Sequence, residues 1–119
     1  MGTEYNEANL SEEAVNIHRA LKSLTEELEA VDWYNQRVDR CQDEALKAVL
    51  AHNRDEEIEH AAMILEWLRR NMPGFDENLK TYLFTAAPIT QIEADGEGDA
   101  SSHESSGGKS GSLGIGNMK

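Results

Sequence analysis

A chain of 119 residues has room for one domain at most, and its formal net charge of −12 argues against nucleic acid and anionic membrane surfaces as partners while favouring cations. Cys41 is the only cysteine, which excludes an internal disulfide and a cysteine-built metal site and fits a reducing cytosol. No apolar run approaches the length of a membrane span, and the polar start Met1-Gly2-Thr3-Glu4 carries no signal-peptide core.

In chain order, residues 1–10 read as a loose arm. Ser11 is a candidate N-cap, and Glu12 and Glu13 suit the positive end of a helix. No Gly or Pro follows until past Asp39, and apolar residues recur at Ile17, Leu21, Leu24, Leu28, Val31 and Val38. Steps of four and three, then one of seven that skips Asn35, mark a heptad seam about 40 Å long. Cys41-Gln42-Asp43 forms a short connection, with Asp43 as the next N-cap. The second helix is expected to reach about Asn71, with a seam at Leu46, Leu50, Asn53, Glu57, His60, Ile64 and Trp67, until Met72-Pro73-Gly74 stops it. So short a connection predicts an antiparallel hairpin. In residues 75–92, Asp76 can cap a short helix bearing Leu79, Tyr82 and Leu83, and Pro88 breaks or restarts it. The predicted helical domain spans 11–92, and a core that small leans on metal or oligomerisation. Residues 93–111, rich in Gly, Ser, Asp and Glu, read as a disordered linker. Residues 112–119 turn apolar again at Leu113-Gly114-Ile115-Gly116 and Met118.

Glu57 and His60 occupy seam positions where a heptad calls for Leu or Ile. A buried carboxylate is costly unless it is paired or bound to metal. Their i, i+3 spacing lets both meet one ion, and Glu-x-x-His with further glutamates is the ligand pattern of ferritin-like di-iron bundles. Glu27 flanks the first seam, with Tyr34 two turns along the same face. Carboxylate and imidazole together suit iron. One glutamate plus one Glu-x-x-His is half of such a site. Two hairpins joined as a four-helix bundle would complete it, with metal on the dimer twofold. Spacing alone leaves open that Glu57 and His60 are a polar pair fixing register. For Glu26, Glu29, Glu56, Glu59 and Glu66, solvation is the default reading. His18 and His52 read as edge histidines, and Trp33, Met63 and Trp67 as packing. Gly107-Gly108-Lys109-Ser110 lacks the strand and helix of a phosphate-binding loop.

Two longer stretches add specificity: Glu26-Glu27-Leu28-Glu29-Ala30-Val31-Asp32-Trp33-Tyr34, and His52-Asn53-Arg54-Asp55-Glu56-Glu57-Ile58-Glu59-His60-Ala61-Ala62-Met63. With Glu66-Trp67-Leu68-Arg69-Arg70 and Thr81-Tyr82-Leu83-Phe84-Thr85, they resemble the encapsulated ferritins over about residues 11–93. The resemblance implies an all-α chain that dimerises into a ferritin-like four-helix bundle. It implies a ferroxidase that oxidises Fe(II) to Fe(III) with dioxygen or peroxide at a di-iron centre. Glu27, Glu57 and His60 match the ligands, and Tyr34 and Trp33 match aromatics beside them. Glu26 and Glu29 match an outer site for Ca or another divalent cation, which moves them from solvated to functional. A ring of five dimers, a homodecamer, is implied. Leu113-Gly114-Ile115-Gly116 resembles a cargo-loading peptide that docks on an encapsulin shell, placing the protein in a cytoplasmic nanocompartment. The alternatives are a non-enzymatic metal-binding cargo or iron buffer and, less well matched, a rubrerythrin-like peroxidase, whose Cys-rich iron domain is absent.

Overall fold

The computed structural model describes residues 7–98. They are all-helical: α1 (Glu12–Arg40), α2 (Glu44–Asn71), α3 (Pro73–Tyr82) and α4 (Ile89–Gly98). They fall into two compact units, divided between Asn71 and Met72.

The first unit is the expected hairpin. Ser11 Oγ accepts from the Ala14 N–H at 3.0 Å, capping α1. Glu12 and Glu13 in its first turn, and Arg37 and Arg40 in its last, complement the helix dipole. The Cys41 N–H closes the helix on the Arg37 carbonyl. Asp43 Oδ1 accepts from the Leu46 N–H at 3.0 Å and so caps α2. Each cap of this kind is worth about 1 kcal/mol. With only residues 41–43 between them, α1 and α2 fold back and pack along one another.

The packed stripes are rotated from the predicted seams. On α1, Leu28 is 54% exposed, and Glu27 takes its place in a half-buried row with Leu24, Val31, Tyr34 and Val38. On α2, Leu50, Glu57 and Ile64 turn inward as expected, but Leu46, Trp67 and His60 lie toward solvent. Ala61 and Leu68 are buried instead. Both helices admit either rotation by the three-and-four rule; volume at the contact decides between them. The outward side of α2 thus exposes two groups, Leu46 with Val49 and His60 with Met63 and Trp67, separated by Asn53 and Glu56.

In the second unit, Pro73 opens α3 at its first turn, where a missing N–H is harmless. Met72 precedes it without a side-chain cap. Asp76 is therefore not the N-cap that the sequence suggested: the helix begins three residues earlier, and Asp76 lies inside its first turn, 3.2 Å from Lys80 Nζ. Pro88 restarts the chain as α4, its carbonyl accepting from the Gln91 and Ile92 N–H groups. The expected linker boundary at residue 93 needs correction as well. Helix continues through Gly98, because Glu93 and Ala94 are sound helix formers and Gln91 Nε2 donates to Asp95 Oδ1 one turn on. Residues 1–6 of the arm, the remaining linker from residue 99 and the segment 112–119 lie outside the described residues.

Candidate metal centre

Glu27 approaches from α1, and Glu57 and His60 from α2. One ligand atom from each lies within 4.8 Å of the other two. His60 Nδ1 is 3.6 Å from Glu27 Oε1 and 3.5 Å from Glu57 Oε1. The two glutamates are shielded by the hairpin, while the His60 side chain is 46% exposed. The antiparallel register makes this meeting: Asn35 likewise faces Arg54, accepting from Nη1 at 3.1 Å.

The electrostatics are those of an uncompensated site. Among the described residues, Glu27 Oε1 is buried and makes no formed hydrogen bond. The Glu27 carboxyl is held above its ordinary pKa, first by the close approach of the Glu57 carboxyl, then by burial and by the negative charge of Glu57. His60 offsets this in part. An orphaned oxygen and a second carboxylate beside one imidazole fit a divalent cation such as iron or zinc, which would satisfy all three donors at once.

The other predicted residues are placed less centrally. Glu26 and Glu29 are exposed on α1 and do not join the cluster. Tyr34 is half-buried, with the Arg37 guanidinium 5.1 Å above its ring centroid. Trp33 is 52% exposed. Leu113, Gly114, Ile115 and Gly116 lie outside the described residues.

One neighbour was read as merely solvated. Glu56 is half-buried and stands between two histidines, with Oε2 3.7 Å from His52 Nε2 and Oε1 3.8 Å from His60 Nε2. The signal was the His-x3-Glu-x3-His spacing, which puts all three on one helix face. Glu66 is a contrasting case: Arg69 and Arg70 both bond its carboxylate and hold its pKa down to about 2.

Comparison with known proteins agrees with this architecture. An encapsulated ferritin-like protein of Rhodospirillum rubrum is 60% identical over 115 residues, spanning 92% of this chain and 82% of the relative. A ferritin-like protein of Thermotoga maritima is 54% identical over 117 residues, spanning 97% of each. A crystal structure of a protein from Nitrosomonas europaea is 63% identical and superposes with a TM-score of 0.70, covering 73% of this chain and 99% of that one. The family model described as EncFtn-like matches residues 2–86, which hold both long helices and all three residues of the cluster. A chain with this hairpin and this carboxylate–imidazole cluster, matched over so much of its length, belongs to the EncFtn-like family of encapsulated ferritin-like proteins.

Proposed function

We propose that the protein is a ferroxidase that oxidises Fe(II) to Fe(III) at a di-iron centre formed between two copies of the chain. The observation that carries this reading is the cluster of Glu27, Glu57 and His60 with its orphaned Glu27 oxygen. One chain offers two carboxylates and one imidazole, half of the usual bundle complement. A second copy doubles the set, and the outward groups, Leu46 with Val49 and Met63 with Trp67, give it apolar surface to cover. Iron is the substrate. Glu27 and Glu57 neutralise the ions and stabilise the higher charge of the ferric state, which lowers the potential at which the electrons leave. Dioxygen or peroxide would accept them, the two electrons of two Fe(II) ions reducing dioxygen to peroxide or peroxide to water. Tyr34 and Trp33 are the aromatics assigned beside the centre, and Glu26 and Glu29 the carboxylates of an outer site for Ca or another divalent cation.

Delivery to an encapsulin shell is part of the same reading, supported by the name of the Rhodospirillum relative. Residues 112–119, with Leu113 and Ile115 as apolar anchors, would dock on the shell wall. Several tails in a ring of dimers would strengthen docking through avidity.

The test is aerobic addition of Fe(II) to the purified protein. Ferric absorbance should grow well above the rate in buffer, and His60→Ala should remove the excess. Bound iron with no oxygen-dependent ferric product would instead establish a buffer. Native mass spectrometry checks the shared site: a stable monomer saturating at two ions would overturn the dimeric centre.

A further inference from the structure

We infer that Glu56 is a positioning residue, holding the His60 ring so that Nδ1 faces the metal and Nε2–H points away from it. The inference rests on the metal-centre reading above, and what carries it is how the two edges of one ring are used. Nδ1 faces Glu27 and Glu57 at 3.6 and 3.5 Å, and Nε2 faces Glu56 at 3.8 Å. A metal-binding imidazole offers a lone pair from one nitrogen and carries its proton on the other, and an acceptor on that second nitrogen selects the tautomer. Glu56 is the carboxylate on that side of the ring, at 3.8 Å.

The Glu56 side chain is 47% exposed, like that of His60, and its second oxygen faces His52 Nε2 at 3.7 Å, so the carboxylate lies between two imidazoles on one helix face. The gap to His60 is about 1 Å longer than a formed N–H···O bond. Rotation about the terminal torsion of a glutamate, which is broad and soft, closes a distance of that size. Without Glu56, both remaining carboxylates lie on the Nδ1 side, and they would draw the proton to the nitrogen that has to be bare. Loss of Glu56 therefore disfavours the ligating tautomer as well as loosening the ring.

Zn(II), which is redox-silent and diamagnetic, makes the test independent of iron oxidation. Long-range 1H–15N spectra of the zinc-loaded full-length protein should show His60 bound through Nδ1, with a slowly exchanging Nε2–H proton. Glu56→Gln keeps an acceptor oxygen and should keep that proton signal. Glu56→Ala should lose it to fast exchange and weaken zinc binding by roughly 10- to 100-fold, and His52→Ala should fall between. Circular dichroism checks that the variants keep their helices. Zinc bound through Nε2, or a Glu56→Ala protein with unchanged signal and affinity, overturns the positioning role and leaves the metal centre standing. A wild-type protein that takes up no zinc overturns both.

Discussion

Two charged clusters on α2 sit little more than two turns apart and behave in opposite ways. At Glu66, the carboxylate is bonded by Arg69 at 2.8 Å and Arg70 at 2.7 Å, and its pKa falls to about 2. At Glu57, the neighbouring charge is another carboxylate, and the Glu27 pKa rises. Both clusters are built from glutamates at helical spacing. One is complete within the chain; the other holds surplus negative charge and a buried oxygen without a partner. The lesson is that satisfaction, more than residue type or spacing, separates a structural ion pair from a candidate cation site.

The largest effect should come from exchanging substitutions between the clusters. Glu27→Ala removes a proposed ligand, and ferric product formation should fall by more than the roughly 100-fold typical for losing an outer partner of a metal ligand. Glu66→Ala should leave the rate within about twofold, since a surface pair contributes little. Stopped-flow absorbance on both variants decides the matter. Equal losses would mean that Glu66 is part of the site.

Stability measured with and without metal gives the next effect in size. Zinc at about 100 times its dissociation constant should stabilise the wild type by about 2.7 kcal/mol, provided that only the folded form binds it. For a hairpin of this size that is a rise of the order of 10 °C in Tm. Glu27→Gln should show little of this rise. In the absence of metal the sign reverses. Replacing one of two facing carboxylates by an amide removes repulsion, so Glu27→Gln should melt above the wild type at neutral pH. Differential scanning calorimetry on metal-stripped protein checks both halves.

Much of this was legible in the sequence because it is written in local chemistry. Ser11 and Asp43 announce helix starts through a hydroxyl and a carboxylate that can reach an N–H in the next turn, and Pro73 marks a break in the same local way. Glu57 and His60 stood out because a charged pair interrupts an apolar row. The rotation of the helices was not legible. Leu24 can be followed in a seam by residue 27 or 28, and apolar identity favoured Leu28. The structure puts Glu27 inward and leaves Leu28 54% exposed. That choice depends on what α2 presents across the interface, which no window on α1 contains. Glu56 escaped for a related reason. Its spacing from His52 and His60 was visible, but its half-burial follows only from how α2 is turned. Helix α4 overran the expected linker because a composition rich in Gly and acid was weighed above the helix-forming run Gln91-Ile92-Glu93-Ala94.

The smallest effect is the opposed pH response of the two clusters, and its sign is fixed by linkage. A carboxyl whose folded pKa lies above its ordinary value of 4.5 binds its proton more tightly when folded. Glu27 therefore contributes stability below that value and loses it as the pH rises through the folded pKa. Glu66 is the reverse: its contribution is present above 4.5 and is lost as the pH falls toward about 2. In metal-free protein, Glu66→Gln should lower Tm slightly near pH 5 and converge on the wild type near pH 2, because the Glu66 carboxylate is open to solvent and its ion pairs are screened. Glu27→Gln should diverge from the wild type in the other direction, its advantage growing as the pH rises from 4.5. Melting curves across this range, in low and high salt, separate the two: salt should shrink the Glu66 difference and leave more of the shielded Glu27 difference intact. Parallel pH profiles for the two variants would mean that the clusters are not electrostatically distinct.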